Sequence, residues 1–88
     1  MKIDVRKSFE KDVSLITEKK LAKQLKNVIS ELEACKTLSE IKNIKKLTGK
    51  GNYYRLRIGQ YRLGFKLDSD TIILLRIMAR KEIYKYFP

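Results

Sequence analysis

The sequence predicts an α+β fold in which an N-terminal helical hairpin packs on a small, mainly antiparallel sheet. Two observations predict it. Apolar residues recur at helical spacing in the first 35 residues, and they alternate with polar residues from residue 53 onward. The expected order is β-α-α-β-β-β, followed by a short C-terminal helical turn. A chain of 88 residues has room for a single domain, spanning 1–88.

The N-terminal part predicts one short strand and two helices. Met1–Val5 alternates apolar and polar residues, as a strand does. Within Arg6–Thr17, the apolar residues Phe9, Val13 and Ile16 follow helical spacing. A second helix ends near residue 35 and carries an apolar stripe of Leu21, Leu25, Val28 and Leu32. Two consecutive helices with one apolar stripe each predict a hairpin that lies on another element.

The middle of the chain is ambiguous. In Ser39–Lys46 and just beyond it, Ile41, Ile44 and Leu47 have a spacing that fits one helical turn or an irregular segment. Thr48–Asn52 is rich in glycine and polar residues, which predicts a turn.

The next two segments, Tyr53–Ile58 and Tyr61–Leu67, alternate and predict a hairpin. Gly59 and Gln60 lie between them, and a two-residue link with glycine first is typical of a type II′ turn. This turn determines which residues of the two strands are paired. The predicted pairs are Ile58 with Tyr61, Arg57 with Arg62, Leu56 with Leu63 and Arg55 with Gly64.

The last strand is predicted over Ile72–Arg80, after a three-residue loop, Ser69–Thr71. This loop length places Ile73, Leu75 and Ile77, with Ala79, on the apolar face. A shift of one residue would bury two arginines, which excludes that register. The opposite face is then predicted to be basic and to carry Tyr53, Arg55, Arg57, Arg62, Lys66, Arg76 and Arg80.

Composition excludes several classes of chemistry. The chain has no histidine, which excludes histidine acid–base catalysis and histidine metal sites. The single cysteine excludes an internal disulfide framework and multi-cysteine metal sites. The longest apolar run, Ile72–Leu75, is far too short to span a membrane, and the N-terminus lacks a signal-peptide core. We therefore expect a soluble cytoplasmic protein without a membrane partner.

Charge is concentrated in the second half of the chain. The protein carries 21 Lys and Arg against 10 Asp and Glu. The first 40 residues hold 9 basic and 7 acidic side chains, whereas the last 48 hold 12 basic and 3 acidic ones. Such an uneven excess predicts a surface for an anionic partner.

The predicted basic face has features of an anion site. Arg57 opposite Arg62 is a like-charge cross-strand pair, which destabilises a hairpin unless a bound polyanion compensates it. Arg55 opposite Gly64 predicts a gap that a ligand backbone could enter. The planar guanidinium also suits phosphate. The alternative is a solvated outer face whose charges prevent aggregation.

The C-terminal segment Lys81–Pro88 mixes aromatic and basic residues. Aromatic side chains beside cations can stack unpaired bases, which favours single-stranded nucleic acid as a ligand. Ile83 and Phe87 are four residues apart, so we expect them to attach a final helical turn to the core. For Tyr84 we favour a functional role.

Two segments resemble a known family. Residues 54–63, YRLRIGQYRL, and residues 75–84, LRIMARKEIY, resemble the paired strands and the C-terminal RxxxY ending of the RelE/ParE toxin superfamily of type II toxin–antitoxin systems. The resemblance covers essentially the whole chain.

The resemblance implies a metal-independent mRNA endoribonuclease that needs no cofactor and cuts mRNA in the ribosomal A site. It implies catalytic roles for Arg62, Arg80 and Tyr84, and RNA binding by Arg55 and Arg57. Three further basic residues complete the predicted RNA-binding set from their places on the basic face and in the tail: Lys66, Arg76 and Lys81.

The resemblance also implies partners and alternatives. An acidic antitoxin would cover the basic face in a toxin–antitoxin hetero-oligomer, and the ribosome and mRNA would be the targets. The ParE-like branch instead inhibits DNA gyrase. Many relatives have His or Lys before the arginine that corresponds to Arg80, whereas this chain has Ala79. A non-catalytic toxin that binds RNA and antitoxin therefore stays open as a third possibility.

Overall fold

A computed structural model describes residues 1–49 and 51–88. These residues form five strands, three α-helices and one 3₁₀ turn. In order these are β1 (Lys2–Val5), α1 (Lys7–Ser14), α2 (Lys19–Ala34), the 3₁₀ turn (Leu38–Glu40), β2 (Ile44–Lys46), β3 (Tyr53–Ile58), β4 (Tyr61–Asp68), β5 (Thr71–Ala79) and α3 (Arg80–Tyr86).

The five strands form one sheet in the order β1-β5-β4-β3-β2. β1 runs parallel to β5, and the other neighbouring strands are antiparallel. The predicted α+β class, the N-terminal helical pair and the short C-terminal helix are confirmed. The sheet has one more strand than the predicted order, because β2 adds to the edge beside β3.

The first two helices bury their apolar residues on one face of the sheet. Phe9 of α1 and the predicted stripe residues Leu21, Leu25 and Leu32 of α2 are buried in one core cluster. The strands contribute Leu56, Ile58, Leu63, Phe65, Ile72, Leu74 and Ile77 to it. α1 is shorter than predicted, and Val13 at its end is 37% exposed.

The β3–β4 hairpin has the predicted register. Arg57 pairs with Arg62, and Arg55 pairs with Gly64. Gly59 has a φ of +57°, and the first central residue of a type II′ turn requires such a positive φ, which glycine adopts readily. The register was predictable because a two-residue turn fixes which residues of the two strands lie opposite each other, and therefore which side chains share a face.

The predicted register of β5 is wrong in its first half. The loop before β5 has two residues rather than three, because Asp68 pairs with Thr71. Ile72 and Leu74 therefore join the core cluster, whereas Ile73 lies opposite Lys66. A register shift between Gly64 and Phe65 then inserts one extra residue in β5 and restores the predicted pairing of Leu63 with Ile77.

The ambiguous segment contains the 3₁₀ turn and β2. Glu40 closes the turn by accepting hydrogen bonds from the backbone N–H groups of Lys36 (2.8 Å) and Thr37 (2.9 Å). Asn43 then adopts a left-handed φ of +67° and leads the chain into β2. The predicted turn over Thr48–Asn52 includes Lys50, which lies outside the described residues.

The helix α3 covers part of the second face of the sheet. Ile83 and Phe87 are buried, as expected for a helical turn attached to the core. The Phe87 ring lies directly over Gly64, where an added Cβ would come within 2.8 Å of it. The predicted gap beside Arg55 is therefore wrong, because an aromatic ring of the same chain fills the space that glycine leaves.

Candidate functional site

Four arginines converge beside the β3–β4 turn. Arg55 and Arg57 lie on β3, and Arg62 lies on β4 directly opposite Arg57. Arg80 begins α3, and its backbone N–H donates a hydrogen bond to the carbonyl of Gln60 (2.9 Å), which holds the start of the helix against the turn. We call these residues, Arg55, Arg57, Arg62 and Arg80, the arginine cluster.

Tyr84 lies between two members of the cluster. Its hydroxyl accepts a hydrogen bond from Nε of Arg80 (3.1 Å), one helical turn earlier. The guanidinium carbon of Arg55 is 4.6 Å from the centroid of the Tyr84 ring, close enough for a cation–π contact. The Arg80 hydrogen bond, together with the positive charges of Arg80, Arg55 and Arg62, lowers the pKa of the Tyr84 phenol.

The Arg62 side chain is held by hydrogen bonds to the backbone of the hairpin. Its Nη1 donates hydrogen bonds to the carbonyls of Gly59 and Tyr61, both at 2.9 Å. Partial burial lowers the pKa of its guanidinium, and the charges of Arg80 and its other arginine neighbours lower it further. An anion bound here would relieve this repulsion.

Arg57 is held by Asn43, a residue that sequence analysis did not select. Arg57 Nη2 donates to Asn43 Oδ1 (2.9 Å), and the Arg57 backbone N–H donates to the Asn43 carbonyl (3.0 Å). Lys45 of β2 lies opposite Arg55. Both residues could have been found only if β2 had been predicted, since the pairing of β2 with β3 brings them to the cluster.

A small cavity forms where these side chains meet. It has a volume of about 190 Å³ and is lined by Asn43, Lys45, Arg55, Arg57, Arg62 and Tyr84. Within residues 1–49 and 51–88, no carboxylate lies within salt-bridge distance of any cluster arginine. The arrangement can therefore bind a phosphate group, which presents several oxygens to converging guanidinium groups.

The structure does not bring three of the sequence-predicted residues into this cavity. The Lys66 ammonium lies 5.9 Å from the centroid of the Tyr53 ring, and Lys81 is exposed on α3. The Arg76 guanidinium instead forms an ion pair with Asp12, with Nε to Oδ2 at 2.8 Å and Nη2 to Oδ1 at 3.1 Å.

Among the described residues, Asp12 is the only charged one that is buried, with 7% of its surface exposed. Besides Arg76, it accepts a hydrogen bond from the backbone N–H of Ile77 (3.0 Å) and so attaches α1 to β5. The ion-pair hydrogen bond raises the pKa of Arg76. Sequence analysis missed Asp12, because an isolated aspartate on a helix otherwise indicates a solvated position.

Two further findings concern the described residues. They include no group of three or more His, Cys, Asp or Glu residues that could hold a metal ion. None of their helices is long and apolar enough to cross a membrane.

Comparison with known proteins identifies the family. A family model described as the ParE toxin of the type II toxin–antitoxin system parDE matches residues 3–84. Toxin RelE3 of Methanocaldococcus jannaschii is 42% identical over 89 residues, which cover all of both chains. The chain belongs to the RelE/ParE superfamily of type II toxins. The predicted family membership is thus confirmed.

Solved structures agree with this RelE/ParE assignment. A RelB–RelE antitoxin–toxin complex from Methanococcus jannaschii contains a chain that is 39% identical, with a TM-score of 0.83 over 97% of this chain and 99% of that one. An archaeal RelE–RelB complex from Pyrococcus horikoshii OT3 has 23% identity and a TM-score of 0.73 over 90% and 93% of the two chains, which shows the shared fold. The protein is therefore a RelE-like toxin of a type II system.

Proposed function

We propose that this RelE-like toxin is a ribosome-dependent, metal-independent mRNA endoribonuclease that acts in the cytoplasm. One observation carries the proposal: the arginine cluster surrounds a phenol of lowered pKa and, within the described residues, has no carboxylate partner. Converging guanidinium groups suit the extra charge of a phosphate under attack. The phenol is a titratable group at the same place, so charge stabilisation and proton transfer can occur together.

The reaction uses the RNA itself as nucleophile. The 2′-oxygen attacks the adjacent phosphorus, its proton passes to the Tyr84 phenolate, and the bond from phosphorus to the 5′-oxygen breaks. The departing oxygen takes a proton from water, which gives a 2′,3′-cyclic phosphate and a free 5′-hydroxyl. Arg62 and Arg80 stabilise the charge on the phosphate, while Arg55 and Arg57 hold the RNA backbone. The lowered pKa of Tyr84 raises the fraction of phenolate at a given pH.

Dependence on the ribosome follows from the few acid–base groups at the cluster. Tyr84 is the candidate base, and the arginines stay protonated at neutral pH. Such a site needs its substrate presented with the 2′-oxygen in line with the departing oxygen. A ribosome that holds mRNA in the A site would provide this arrangement, and we expect slow cleavage of free RNA.

We also propose an acidic antitoxin that joins the toxin in a hetero-oligomer. The structures of relatives named above are complexes of RelE with RelB. On this chain, an apolar groove of about 560 Å³ lies between α1 and α2 and has Lys23 and Lys26 among its lining residues. An antitoxin segment with apolar and acidic residues would complement both features. The groove's apolar lining includes Phe9, Val13, Ile16, Leu25 and Ile29.

The antitoxin proposal is tested with Val13→Asp, which places a charge in this groove. We expect weaker binding of the cognate antitoxin in calorimetry, because a carboxylate would repel acidic residues and be desolvated in the complex. Leu15→Asp is the matched control, since Leu15 is exposed at the end of α1 and does not line the groove. Equal affinity of both variants and the wild type would place the antitoxin elsewhere.

Primer extension on mRNA held in programmed ribosomes tests the nuclease proposal. We expect discrete cuts at the A-site codon in a Mg²⁺ buffer that keeps the ribosomes intact, and these cuts should disappear with Arg80→Ala. Lys85→Ala removes the same charge from an exposed position of α3 and should leave the cuts intact. Cuts that persist in Arg80→Ala would exclude Arg80 from the reaction. Metal dependence is tested on free RNA, without ribosomes: loss of the slow cleavage in EDTA would exclude the metal-independent mechanism.

Inhibition of DNA gyrase is the second candidate, because the matching family model is that of the ParE toxin. Uncut mRNA together with gyrase-dependent DNA cleavage would favour this function. RNA binding without any cleavage would instead indicate a non-catalytic toxin, with Ala79 as the residue to examine first. The three outcomes are distinguishable with one protein preparation.

A further inference from the structure

A second cavity adjoins the small one at the arginine cluster. It has a volume of about 420 Å³, and Asn43 and Arg57 line both cavities. Three apolar residues also line it: Val28 of α2, Ile41 and the buried Leu56 of β3. Its volume lies within the range of small-molecule sites, about 300–1,000 Å³. We call it the side cavity.

The polar lining of the side cavity includes both acceptors and donors. Glu31 of α2 contributes a carboxylate that forms no ion pair within residues 1–49 and 51–88. The carboxylate of Glu40, by contrast, already accepts two backbone N–H groups, which lower its pKa. Glu31 is therefore the carboxylate of this cavity that can accept a hydrogen bond from a ligand. Lys42 and Arg57 supply donors.

Asn43 fixes Arg57 at the boundary between the two cavities. It binds the guanidinium through its side-chain oxygen and the Arg57 backbone through its carbonyl, at 2.9 and 3.0 Å. An arginine held in this way can contact a phosphate on one side and stack on a planar group on the other. A ligand that carries both a phosphate and a planar polar ring would occupy both cavities at once.

We infer that the side cavity binds the nucleobase adjacent to the phosphate held by the arginine cluster, an inference that rests on the proposed function. The apolar residues and the Arg57 guanidinium would contact the faces of the ring. The Glu31 carboxylate would accept a hydrogen bond from the exocyclic amino group of a base such as cytosine. Uracil has a carbonyl oxygen at the same position, which the carboxylate would repel. Glu31 is thus a specificity-determining residue of the toxin.

Short single-stranded DNA oligomers test this inference without interference from cleavage, because they lack the 2′-hydroxyl. Fluorescence anisotropy would compare oligodeoxycytidylate with oligodeoxyuridylate of equal length on the full chain. We expect the cytosine oligomer to bind about fivefold more tightly, the effect of one added hydrogen bond. The ratio of the two affinities is the readout, since it cancels general effects of charge.

Glu31→Gln should bring this ratio close to one, because the neutral amide can satisfy either base. Glu33→Gln is the matched control: it removes the same charge from an exposed position on the same helix and should keep the ratio. Equal binding of both oligomers by the wild type would overturn the side-cavity inference alone, as would an unchanged ratio in Glu31→Gln. Failure of both oligomers to bind would overturn nucleic-acid binding at the arginine cluster as well.

Discussion

Arg76 and Arg80 lie four residues apart where β5 meets α3, yet their surroundings are opposite. Arg76 forms two hydrogen bonds with the buried Asp12 carboxylate. Arg80 donates to the hydroxyl of Tyr84 and, within the described residues, has no carboxylate partner. The first charge is compensated inside the protein, whereas the second is available to an anionic ligand.

The nearest hydrogen-bond acceptor therefore decides the role of each arginine. Both residues were predicted to lie on one basic face, and their sequence spacing gives no reason to separate them. A carboxylate partner makes Arg76 part of the contact between α1 and β5. The Tyr84 phenol does not compensate the charge of Arg80, which stays available to a ligand. The hydrogen bond from Arg80 also lowers the pKa of that phenol.

The largest expected effect is on the rate of mRNA cleavage, which should distinguish Arg80 from Arg76. Arg80→Gln should reduce the single-turnover rate of mRNA cleavage on the ribosome by about 10²–10³-fold, because one stabiliser of transition-state charge is lost. Arg76→Gln should cleave at close to the wild-type rate when the rate is normalised to folded protein. Equal losses in the two variants would remove the distinction between a compensated and an available arginine.

Stability should show the reverse order. Arg76→Ala leaves the Asp12 carboxylate buried with only the Ile77 N–H as a remaining partner, so the free energy of unfolding should fall by about 3 kcal/mol. Arg80→Ala should leave it close to the wild-type value, since Arg80 is exposed. Urea denaturation of both variants measures the difference.

The double variant Asp12→Asn with Arg76→Gln sharpens this result. It removes both charges together, so we expect it to be more stable than Arg76→Ala. If the double variant were less stable than Arg76→Ala, the uncompensated carboxylate would not be the source of the loss.

A smaller effect concerns how the cluster is held in place. Asn43→Gly removes the side-chain acceptor of Arg57 but tolerates the left-handed φ of +67°, so RNA affinity should fall by about fivefold with little change in folding. Asn43→Ala should show the same loss and also unfold more readily, by about 1–2 kcal/mol, because alanine is strained in this conformation. Anisotropy with a non-cleavable RNA, alongside urea denaturation, separates the two effects.

The smallest effect is in the titration of Tyr84. The hydrogen bond from Arg80 lowers the phenol pKa, so Arg80→Gln should move its ionisation to higher pH, while Arg76→Gln should leave it in place. The chain has five tyrosines, and subtracting the ultraviolet titration of Tyr84→Phe isolates this one. An Arg80→Gln curve that coincides with the wild type would show that Arg80 does not control the phenol.

The sign of the effect on stability follows from the same shift. Folding favours the phenolate of Tyr84, so this interaction stabilises the protein fully above the ordinary phenol pKa. The contribution is lost as the pH falls through the lowered pKa of the folded state.

Local patterns determined much of the fold and part of the site. Apolar spacing indicated both N-terminal helices, and the Gly59-Gln60 link placed Arg57 opposite Arg62, as the structure has it. Alternation succeeded there because a two-residue turn leaves no freedom of register. It failed in the first half of β5, where a shorter loop and a register shift beside Gly64 compensate each other within one strand. All four residues of Ile72–Leu75 are apolar, so alternation there does not show which of them face the core.

The contacts that give each arginine its role join residues that are distant in the sequence. Asp12 is 64 residues from Arg76 in the chain, and Asn43 reaches Arg57 through a strand of three residues that has no clear pattern of its own. Phe87 fills the space over Gly64 from the far end of the chain. The helices and the central hairpin could be predicted from the sequence because they depend on near neighbours, and the excess of positive charge because it depends on composition. Which charges are compensated depends on residues that meet only when the sheet and helices pack.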